Sequence, residues 1–482
     1  MFKKQKIKSK SGITLVALVV TIVVLLILAG VSLSLVLDNN GIISRAGEAQ
    51  EQYGQASKNE QKDLDTAADD IDRALGEYDP LKKITSKTLD EAKLDDMLNS
   101  TEETKVKFTD GTVVIPKGYK ISDATANDVG HGVVIQDGSG NQWVWVPVGE
   151  KMLAKMCDTA NTEEYKLCGT TDEEPIKAKL YTRTSIEIGT GSNKTTITRG
   201  LPGSTSYREP DLVVGSDGKR YDAANCKTIV GNAGTLKEMA ELFKDEYETM
   251  IKSIEKYGGF YIGRYELSGT VNSPTEKSGT TITNQNWYNL YNACKKLGAN
   301  ADGTDKEGIA TRMIWGCQWD ATCDFIATKG EEKNIKDSST WGNYTNYNTA
   351  NNYTEGTTGY VKDAGTKLDT GTSEYWKANN IYDIAGNCYE WTQEADGAGN
   401  RAYRGGKYSS NGSDFPASNR NYFYPTSSDY GYFRFPSHFN NYYWNLEREN
   451  QWKEGQNRLT ENGTKRRRKP LIVNEIRYDG KI

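Results

Sequence analysis

Histidine is almost absent from this sequence of 482 residues, which contains only His131 and His438. A metal centre built from several histidines is therefore excluded, and a Ser-His-Asp or Cys-His site would have to use one of these two. The seven cysteines are an odd number, too few for a disulfide scaffold, and none has CxxC spacing. We interpret most as buried thiols, with a disulfide between Cys157 and Cys168 as the alternative.

Apolar residues are also scarce, at 36% of the chain with a mean hydropathy of -0.70. This composition excludes a multi-pass membrane protein, and 47 Gly with 11 Pro exclude a collagen-like chain. The formal net charge is -5, and because the first 37 residues carry five lysines and no acid, the rest of the chain carries -10, which disfavours a nucleic-acid binder overall. Tyrosine is abundant, with 29 residues against 10 Phe, as is typical of surfaces that bind ligands.

One long apolar run lies near the N-terminus, where residues 13–37 contain no charge and follow a basic leader at 1–12. At 1.5 Å per residue, a helix of this length exceeds the roughly 30 Å hydrocarbon core of a bilayer. The five leader lysines indicate by the positive-inside rule that residue 1 is cytoplasmic. We therefore expect a single-pass cell-membrane protein with its bulk outside the cell.

The residues KSGITLVALVV at 10–20 resemble the N-terminus of type IV prepilins and pseudopilins. The resemblance implies a prepilin peptidase as a partner and cleavage between Gly12 and Ile13. Ala17 stands where the family usually has Glu, which pairs with a neighbouring subunit during filament assembly. Ala17 therefore disfavours polymerisation. A plain membrane anchor and a pilin-like structural subunit remain alternatives.

The rest of the chain divides by composition. Small and apolar residues at spacings of three and four predict an amphipathic stalk helix over 38–79, and a charged linker follows over 80–105. Short alternating runs then predict strands and hairpins in one domain over 106–440, with helices at 236–254 and 287–297. A polar, basic tail occupies 441–482, which could meet anionic wall polymers or be simply solvated. The expected fold class is α+β, with a transmembrane and stalk helix before the large domain.

Five segments of the large domain together suggest a family. They are WVPV at 145–148, FYIGRYE at 260–266, TRMIWGCQWD at 311–320, NIYDIAGNCYEWT at 380–392 and YRGGKY at 403–408. In this order they resemble the formylglycine-generating-enzyme-like (sulfatase-modifying factor) domains, which implies a variant C-type lectin fold. The combination with a prepilin-type anchor resembles exported proteins of Gram-positive bacteria.

The catalytic groups of the resembled enzymes are missing. Formylglycine-generating members use two copper-binding cysteines after the Arg-Gly-Gly motif, and residues 404–434 contain none. Ergothioneine-pathway relatives use a histidine cluster, which two isolated histidines cannot supply. We therefore expect a binding protein and no enzyme, with an oxidase that uses unrecognised ligands as the alternative.

The resemblance also implies a calcium ion in the turn that contains Gly-Asn-x-x-Glu-Trp. The matching ligands are the side chains of Asp383 and Glu390 and the backbone carbonyls of Gly386 and Cys388. Calcium prefers six to eight oxygen ligands, and a glycine-containing loop can supply them. The alternative is that Glu390 caps the turn and Asp383 is solvated. For Arg404 we expect a structural ion pair.

Residues 408–430 have the composition of an antibody paratope, because almost every position is Ser, Asn, Asp, Tyr or Phe between Gly and Pro residues. Many of these residues are encoded by adenine-rich codons, as in lectin-fold proteins diversified by retroelements. An ordinary polar loop is the alternative. We predict that this segment binds an external protein or glycan through Tyr408, Asn411, Asp414, Asn419, Asn421, Tyr422, Tyr424, Asp429 and Tyr430.

Overall fold

A computed structural model of the chain divides into two compact units, Met1–Lys82 and Lys83–Ile482. In the first unit, the described residues are helical at 21–24 and at several positions between 49 and 64. The described residues are 21–24, 49–50, 52–54, 56–57, 60, 64, 79–156, 162–165, 176–179, 181–183, 185–198, 207–209, 229, 236–300, 303–306, 308–346, 366–395, 400–428, 433–434 and 437–440.

The second unit is built mainly from short strands. Their bounds are β1 Thr85–Lys87, β2 Thr104–Lys107, β3 Thr112–Ile115, β4 Tyr119–Ile121, β5 Val134–Asp137, β6 Gln142–Pro147, β7 Thr162–Tyr165, β8 Ile176–Lys179, β9 Tyr181–Arg183, β10 Ser185–Ile188, β11 Thr195–Thr198, β12 Tyr207–Glu209, β13 Gly259–Gly263, β14 Ser268–Thr270, β15 Ser273–Thr275, β16 Ala310–Met313, β17 Lys377–Ala378, β18 Ile381–Tyr382, β19 Tyr389–Ala395, β20 Arg401–Arg404, β21 Arg420–Phe423, β22 Phe433–Arg434 and β23 Ser437–Asn440.

Helices connect these strands. The α-helices of the described residues are α1 Leu89–Lys93, α2 Glu150–Met156, α3 Leu236–Tyr257, α4 Trp287–Leu297 and α5 Gly316–Thr328. Short 3-10 turns lie at Asp95–Asn99, Gly191–Asn193 and Glu374–Trp376. The predicted helices at 236–254 and 287–297 are confirmed by α3 and α4, because their apolar residues recur with the period of a helix.

Two six-stranded sheets organise the unit. The first has the order β16-β23-β13-β6-β5-β4, with antiparallel neighbours throughout. The second has the order β21-β20-β19-β12-β9, and β22 pairs in parallel with β19. A three-stranded sheet of β1, β2 and β3 precedes them. Residues 80–105, interpreted from the sequence as a linker, therefore carry a paired strand and helical turns.

The positions of the strands follow from their sequences. In β6, four successive residues, Trp143 to Val146, are buried, so both faces of the strand are covered. This strand accordingly lies inside its sheet, between β13 and β5. Helices α3 and α4 supply aromatic side chains to the core, where the rings of Trp287 and Tyr291 stack with centroids 5.2 Å apart. The indole of Trp287 also donates a hydrogen bond of 2.9 Å to the carbonyl of Thr392 in β19.

The sequence predicts an N-terminal transmembrane and stalk helix as part of the fold class. For the residues that the structure describes, this prediction is wrong. None of their helices is both long and apolar enough to cross a bilayer. Helix α3 spans 22 residues, but ten of them are charged, so it is amphipathic. The fold is mixed α+β, with more strand than helix. Several predicted features lie outside the described residues, namely most of 13–37, most of 38–79, the predicted cleavage position Gly12/Ile13 and the tail 441–482.

We predict that Gly386→Ala destabilises the second unit by at least about 2 kcal/mol. Gly386 has a φ of +82°, and an added Cβ would lie 2.3 Å from the carbonyl oxygen of Asn343. Gly138→Ala is the matched control, because Gly138 has open space where the Cβ would be. Denaturant unfolding of both variants measures the difference. Equal stability of the two variants would contradict this account of the 386 turn.

Candidate ligand-binding site

The segment that the sequence singles out lies at one edge of the second sheet. Strands β20 and β21 are antiparallel neighbours, with Tyr403 opposite Asn421 and Arg404 opposite Arg420. Fifteen residues, 405–419, connect them, and β21 ends the described strand order of this sheet. We call residues 405–428 the edge loop.

Partners from elsewhere in the chain hold the backbone of the edge loop. The amide of Ser338 donates to the carbonyl of Gly412 over 3.0 Å, and the amide of Gly412 donates to Oδ1 of Asn346 over 2.8 Å. The amide of Ala417 donates to the hydroxyl of Ser338 over 3.0 Å. The carbonyl of Ala417 accepts a 2.9 Å hydrogen bond from the indole of Trp319 in α5. The path of the loop is thus fixed through its main chain.

Further main-chain contacts continue along the loop. The hydroxyl of Tyr344 donates to the carbonyl of Phe415 over 2.8 Å, and the amide of Thr345 donates to the carbonyl of Ser410 over 3.0 Å. Glycine is required at 412, where a Cβ would lie 2.5 Å from the amide nitrogen of Ser339. Segment 334–346 is therefore the support on which the edge loop lies.

Four buried charged side chains, Asp320, Glu394, Arg404 and Arg420, tie both ends of this connection to the core. We call them the ion quartet. Arg404 Nη2 lies 2.6 Å from Asp320 Oδ1, and Arg420 Nη2 lies 3.3 Å from Asp320 Oδ2 and 3.0 Å from Glu394 Oε1. All four side chains are at most 1% exposed, and their charges balance. The predicted structural ion pair of Arg404 is confirmed.

Aromatic rings line the surface beside the loop. The ring of Tyr389 lies 4.8 Å from that of Tyr403 and 6.2 Å from that of Phe415, measured between centroids. The ammonium of Lys407 lies 5.5 Å from the Tyr389 ring, a cation-π distance. Burial raises the pKa of the Tyr389 hydroxyl, which lies 3.1 Å from Oγ of Ser410. The phenol therefore stays neutral at physiological pH, and the half-buried rings of Tyr403 and Phe415 beside it are the ones that reach the surface.

Sequence reasoning missed part of this surface. Tyr403, Lys407 and Phe415 are half-buried and lie among the predicted residues. The signal available was the Tyr and Lys content of the YRGGKY segment, which we interpreted only as a family motif. Asp320 and Glu394 were missed because their arginine partners lie far away in the sequence or on another strand.

Some of the predicted binding residues are exposed and others are half-buried. Asn411 and Asp414 are exposed and hydrogen-bond to each other over 3.1 Å. Asn421 Oδ1 accepts from the amide of Tyr422 over 2.9 Å. The half-buried predicted residues are Tyr408, Asn419, Asn421, Tyr422 and Tyr424. The structure brings these seven residues together in the edge loop, which includes β21, whereas Asp429 and Tyr430 lie outside the described residues.

Asp383, predicted to bind calcium, belongs to a buried polar network. Its Oδ2 accepts hydrogen bonds from the hydroxyl of Thr370 over 2.9 Å and from the amide of Gly371 over 3.0 Å. The same hydroxyl accepts from the amide of Glu266 over 2.8 Å. Glu266 in turn accepts from the amide of Cys388 over 3.2 Å, so it links two of the predicted ligand positions. No local pattern indicates this role of Glu266, which lies 122 positions from Cys388.

Glu390, the other predicted carboxylate ligand, is fully buried beside Gly405. A Cβ at position 405 would lie 3.3 Å from Glu390 Oε2 and 3.2 Å from the carbonyl oxygen of Ile384, so both oxygens face the same small space. Among the described residues, no group of three or more His, Cys, Asp or Glu side chains is arranged to hold a metal ion. A calcium ion at this turn would therefore depend largely on backbone carbonyls, and calcium binding stays a prediction.

The four cysteines within the described residues are buried, namely Cys294, Cys317, Cys323 and Cys388. Burial raises the pKa of Cys323 to about 12, and burial also raises the pKa of Cys294 well above its usual range. The thiolate is the nucleophilic and metal-binding form. These two cysteines therefore remain protonated and unreactive at neutral pH.

Comparison with known proteins yields little similarity. No known protein family matches the chain, and no curated protein matches it. A similar solved structure is Treponema denticola variable protein 1, which is 14% identical with a TM-score of 0.23. The similarity covers 59% of this chain and 100% of that one. At this TM-score the likeness establishes neither fold nor function, and the resemblances to prepilins and to formylglycine-generating-enzyme-like domains stay predictions.

We predict that Asp320→Ala lowers the free energy of unfolding by about 3–5 kcal/mol, because it leaves two buried guanidinium groups with one carboxylate. Asp95→Ala is the control. Asp95 is paired with Lys120 over 2.6 Å, but its side chain is 83% exposed, so we expect little change. Chemical denaturation of both variants measures the difference. A loss of stability in Asp320→Ala no larger than that of the control would show that the ion quartet does not hold the loop.

The calcium prediction has its own test. If calcium binds only the folded state, free calcium at 100 times Kd stabilises the protein by about 2.7 kcal/mol, which raises the melting temperature. The variant Asp383→Asn with Glu390→Gln keeps the shape of both side chains and should lose this response. A calcium-dependent rise that persists in the double variant would place the ion elsewhere.

Proposed function

We propose that this protein recognises an external macromolecular ligand, a protein or a glycan, through the edge loop, and that it does so without catalysis. The observation that carries the proposal is that the main chain of the loop is anchored while many of its side chains are exposed. Its main chain is held by Ser338, Asn346, Trp319 and Tyr344, whereas many of its side chains reach solvent. Rigidly supported loops with exposed polar and aromatic side chains are a common form of binding surface.

The composition of the exposed part supports recognition. Tyrosine supplies a large contact area at a small entropic cost, and Ser and Asn supply adaptable hydrogen bonds. Tyr422 and Tyr424 are half-buried, so part of each ring is already ordered before a ligand arrives. Pre-ordering lowers the entropy that binding must overcome. These two rings are our candidate anchors for the ligand.

The same architecture supports the finer proposal that the loop is a diversified region. Ser409, Ser413 and Asp414 are exposed, so replacing them leaves the buried contacts of the loop intact. A retroelement that mutates adenine codons could then change the binding surface without unfolding the protein. Sequencing this gene in many clones of one culture tests the idea, because changes should concentrate in the codons for 408–430 at adenine positions.

The described thiols favour binding over oxidation of a substrate cysteine. Cys323 and Cys294 are buried and protonated at neutral pH, which is the wrong form for copper binding or nucleophilic attack. Incubating the protein with copper, oxygen and a Cys-containing peptide tests this part of the proposal. Formation of formylglycine above background would overturn it.

We predict that Tyr422→Ala and Tyr424→Ala each weaken ligand binding by about thirtyfold, equivalent to about 2 kcal/mol, as is typical for a hot-spot tyrosine. The ligand is first found by screening arrays of surface proteins and glycans with the full-length chain. The melting temperature should change little, because both rings are only half-buried.

The matched control for this experiment is Tyr53→Ala, which removes a tyrosine that is 79% exposed and lies outside the second unit. Its affinity should equal that of the unmodified protein. Unchanged affinity in the Tyr422→Ala, Tyr424→Ala double variant would move the site elsewhere. A large fall in its melting temperature would show that the rings are structural.

A further inference from the structure

A polar cleft of about 550 Å³ opens beside the support of the edge loop. Its volume falls within the range of small-molecule sites, which runs from roughly 300 to 1,000 Å³. It is bounded by the turn after α5, by segment 334–341 and by the 3-10 turn before β17. The lining includes Glu331, Glu332, Lys333, Glu374, Tyr375 and Lys377.

Charges in the cleft are paired and nearly balanced. Lys333 forms an ion pair with Glu331, and Lys377 forms one with Glu374. The hydroxyl of Tyr382 also donates a hydrogen bond to Glu374, and these two donors hold the pKa of the Glu374 carboxyl below its usual value against the opposing effect of burial. The cleft therefore presents carboxylates and ammonium groups side by side, with little net charge.

The walls are preformed. Glu332 has a φ of +48°, a left-handed conformation that is uncommon for a residue with a side chain, and its carbonyl accepts a 2.6 Å hydrogen bond from Asn193 Nδ2. Strained backbone of this kind persists only where surrounding contacts enforce it, and it is often found at ligand sites. On another wall, the indole of buried Trp341 donates to the carbonyl of Asn334 over 2.9 Å.

This chemistry selects one class of ligand. A hydroxyl group both donates and accepts hydrogen bonds, so it can bridge a carboxylate and an ammonium that lie next to each other. A highly charged ligand would meet like charges whichever its sign, because both signs line the cleft. The half-buried ring of Tyr375 adds an amphipathic surface on which the C–H face of a sugar can pack.

We propose that this cleft is a second binding site and that it takes a short stretch of neutral oligosaccharide. The site is separate from the edge loop in residues and in chemistry, so it does not depend on the function proposed above. Its partner would be a neutral glycan, free or at the end of a larger polymer.

The test is a titration of the full-length protein with cellohexaose, maltohexaose, chitohexaose and mannohexaose. Binding is measured by tryptophan fluorescence and by calorimetry. We expect at least one hexasaccharide to bind in the micromolar to millimolar range. Tyr375→Ala should weaken that binding at least tenfold, and Glu374→Gln should weaken it several-fold. Raising NaCl from 0.05 to 0.5 M should change the Kd less than twofold, because the ligand is neutral.

Tyr422→Ala, in the edge loop, is the matched control and should bind the hexasaccharide as the unmodified protein does. The proposal is overturned if none of the four sugars binds, or if a polyanion such as hexagalacturonate binds tighter than all of them. It is also overturned if Tyr375→Ala and Glu374→Gln both keep full affinity. Loss of sugar binding in Tyr422→Ala alone would instead assign the sugar to the edge loop. That result would support the proposed function of the edge loop and overturn the proposal of a sugar site in the cleft.

Discussion

The ion quartet is the constraint on which the position of the edge loop depends. Arg404 ends β20 and Arg420 begins β21, and both contact the buried carboxylate of Asp320 in α5. A buried charge that loses its partner costs several kcal/mol. Neither strand can therefore shift in register without leaving a charge unpaired in the core. Both ends of the connection at 405–419 are in this way fixed to one helix.

Fixing the ends does not by itself order the fifteen residues between them. Ordering a residue costs roughly 1–2 kcal/mol of backbone entropy, and a segment without Leu, Ile or Val cannot offset that by burying large aliphatic side chains. The loop is ordered instead by hydrogen bonds to its main chain. Ser338 contacts it twice, and the indole of Trp319 contacts it from the same helix that carries Asp320.

Local sequence patterns predicted individual helices and strands, but they could not predict contacts between residues that are distant in the sequence. The apolar spacing of α4 gave its bounds, and the continuous apolar run of β6 placed a strand there, because periodicity reports which faces are buried. The partner of Arg404 is 84 positions away, and no local pattern encodes such a contact. The motif predicted Asp383 as a calcium ligand, which stays a prediction, but it gave no sign that Oδ2 of this carboxylate accepts hydrogen bonds from Thr370 and Gly371. The predicted membrane helix rested on the length of an uncharged apolar run, on the lysines before it and on a resemblance to prepilins, and most of that run lies outside the described residues.

In the edge loop, the same residue types occupy supporting positions and exposed positions. Whether a side chain is exposed depends on which backbone atoms of the loop are anchored. Ser409 is exposed while Ser410 is 8% exposed, and the next three residues alternate between exposed, buried and exposed. This stretch is a series of turns, in which the amide of Ser410 donates to the carbonyl of Lys407 and the amide of Asp414 donates to the carbonyl of Asn411. Because Ser410 and Gly412 attach to segment 334–346 through backbone atoms, the side chains of Ser409 and Ser413 beside them are left exposed. The loop can therefore present a changing set of side chains on a constant path, which is the physical requirement for a surface that binds different ligands.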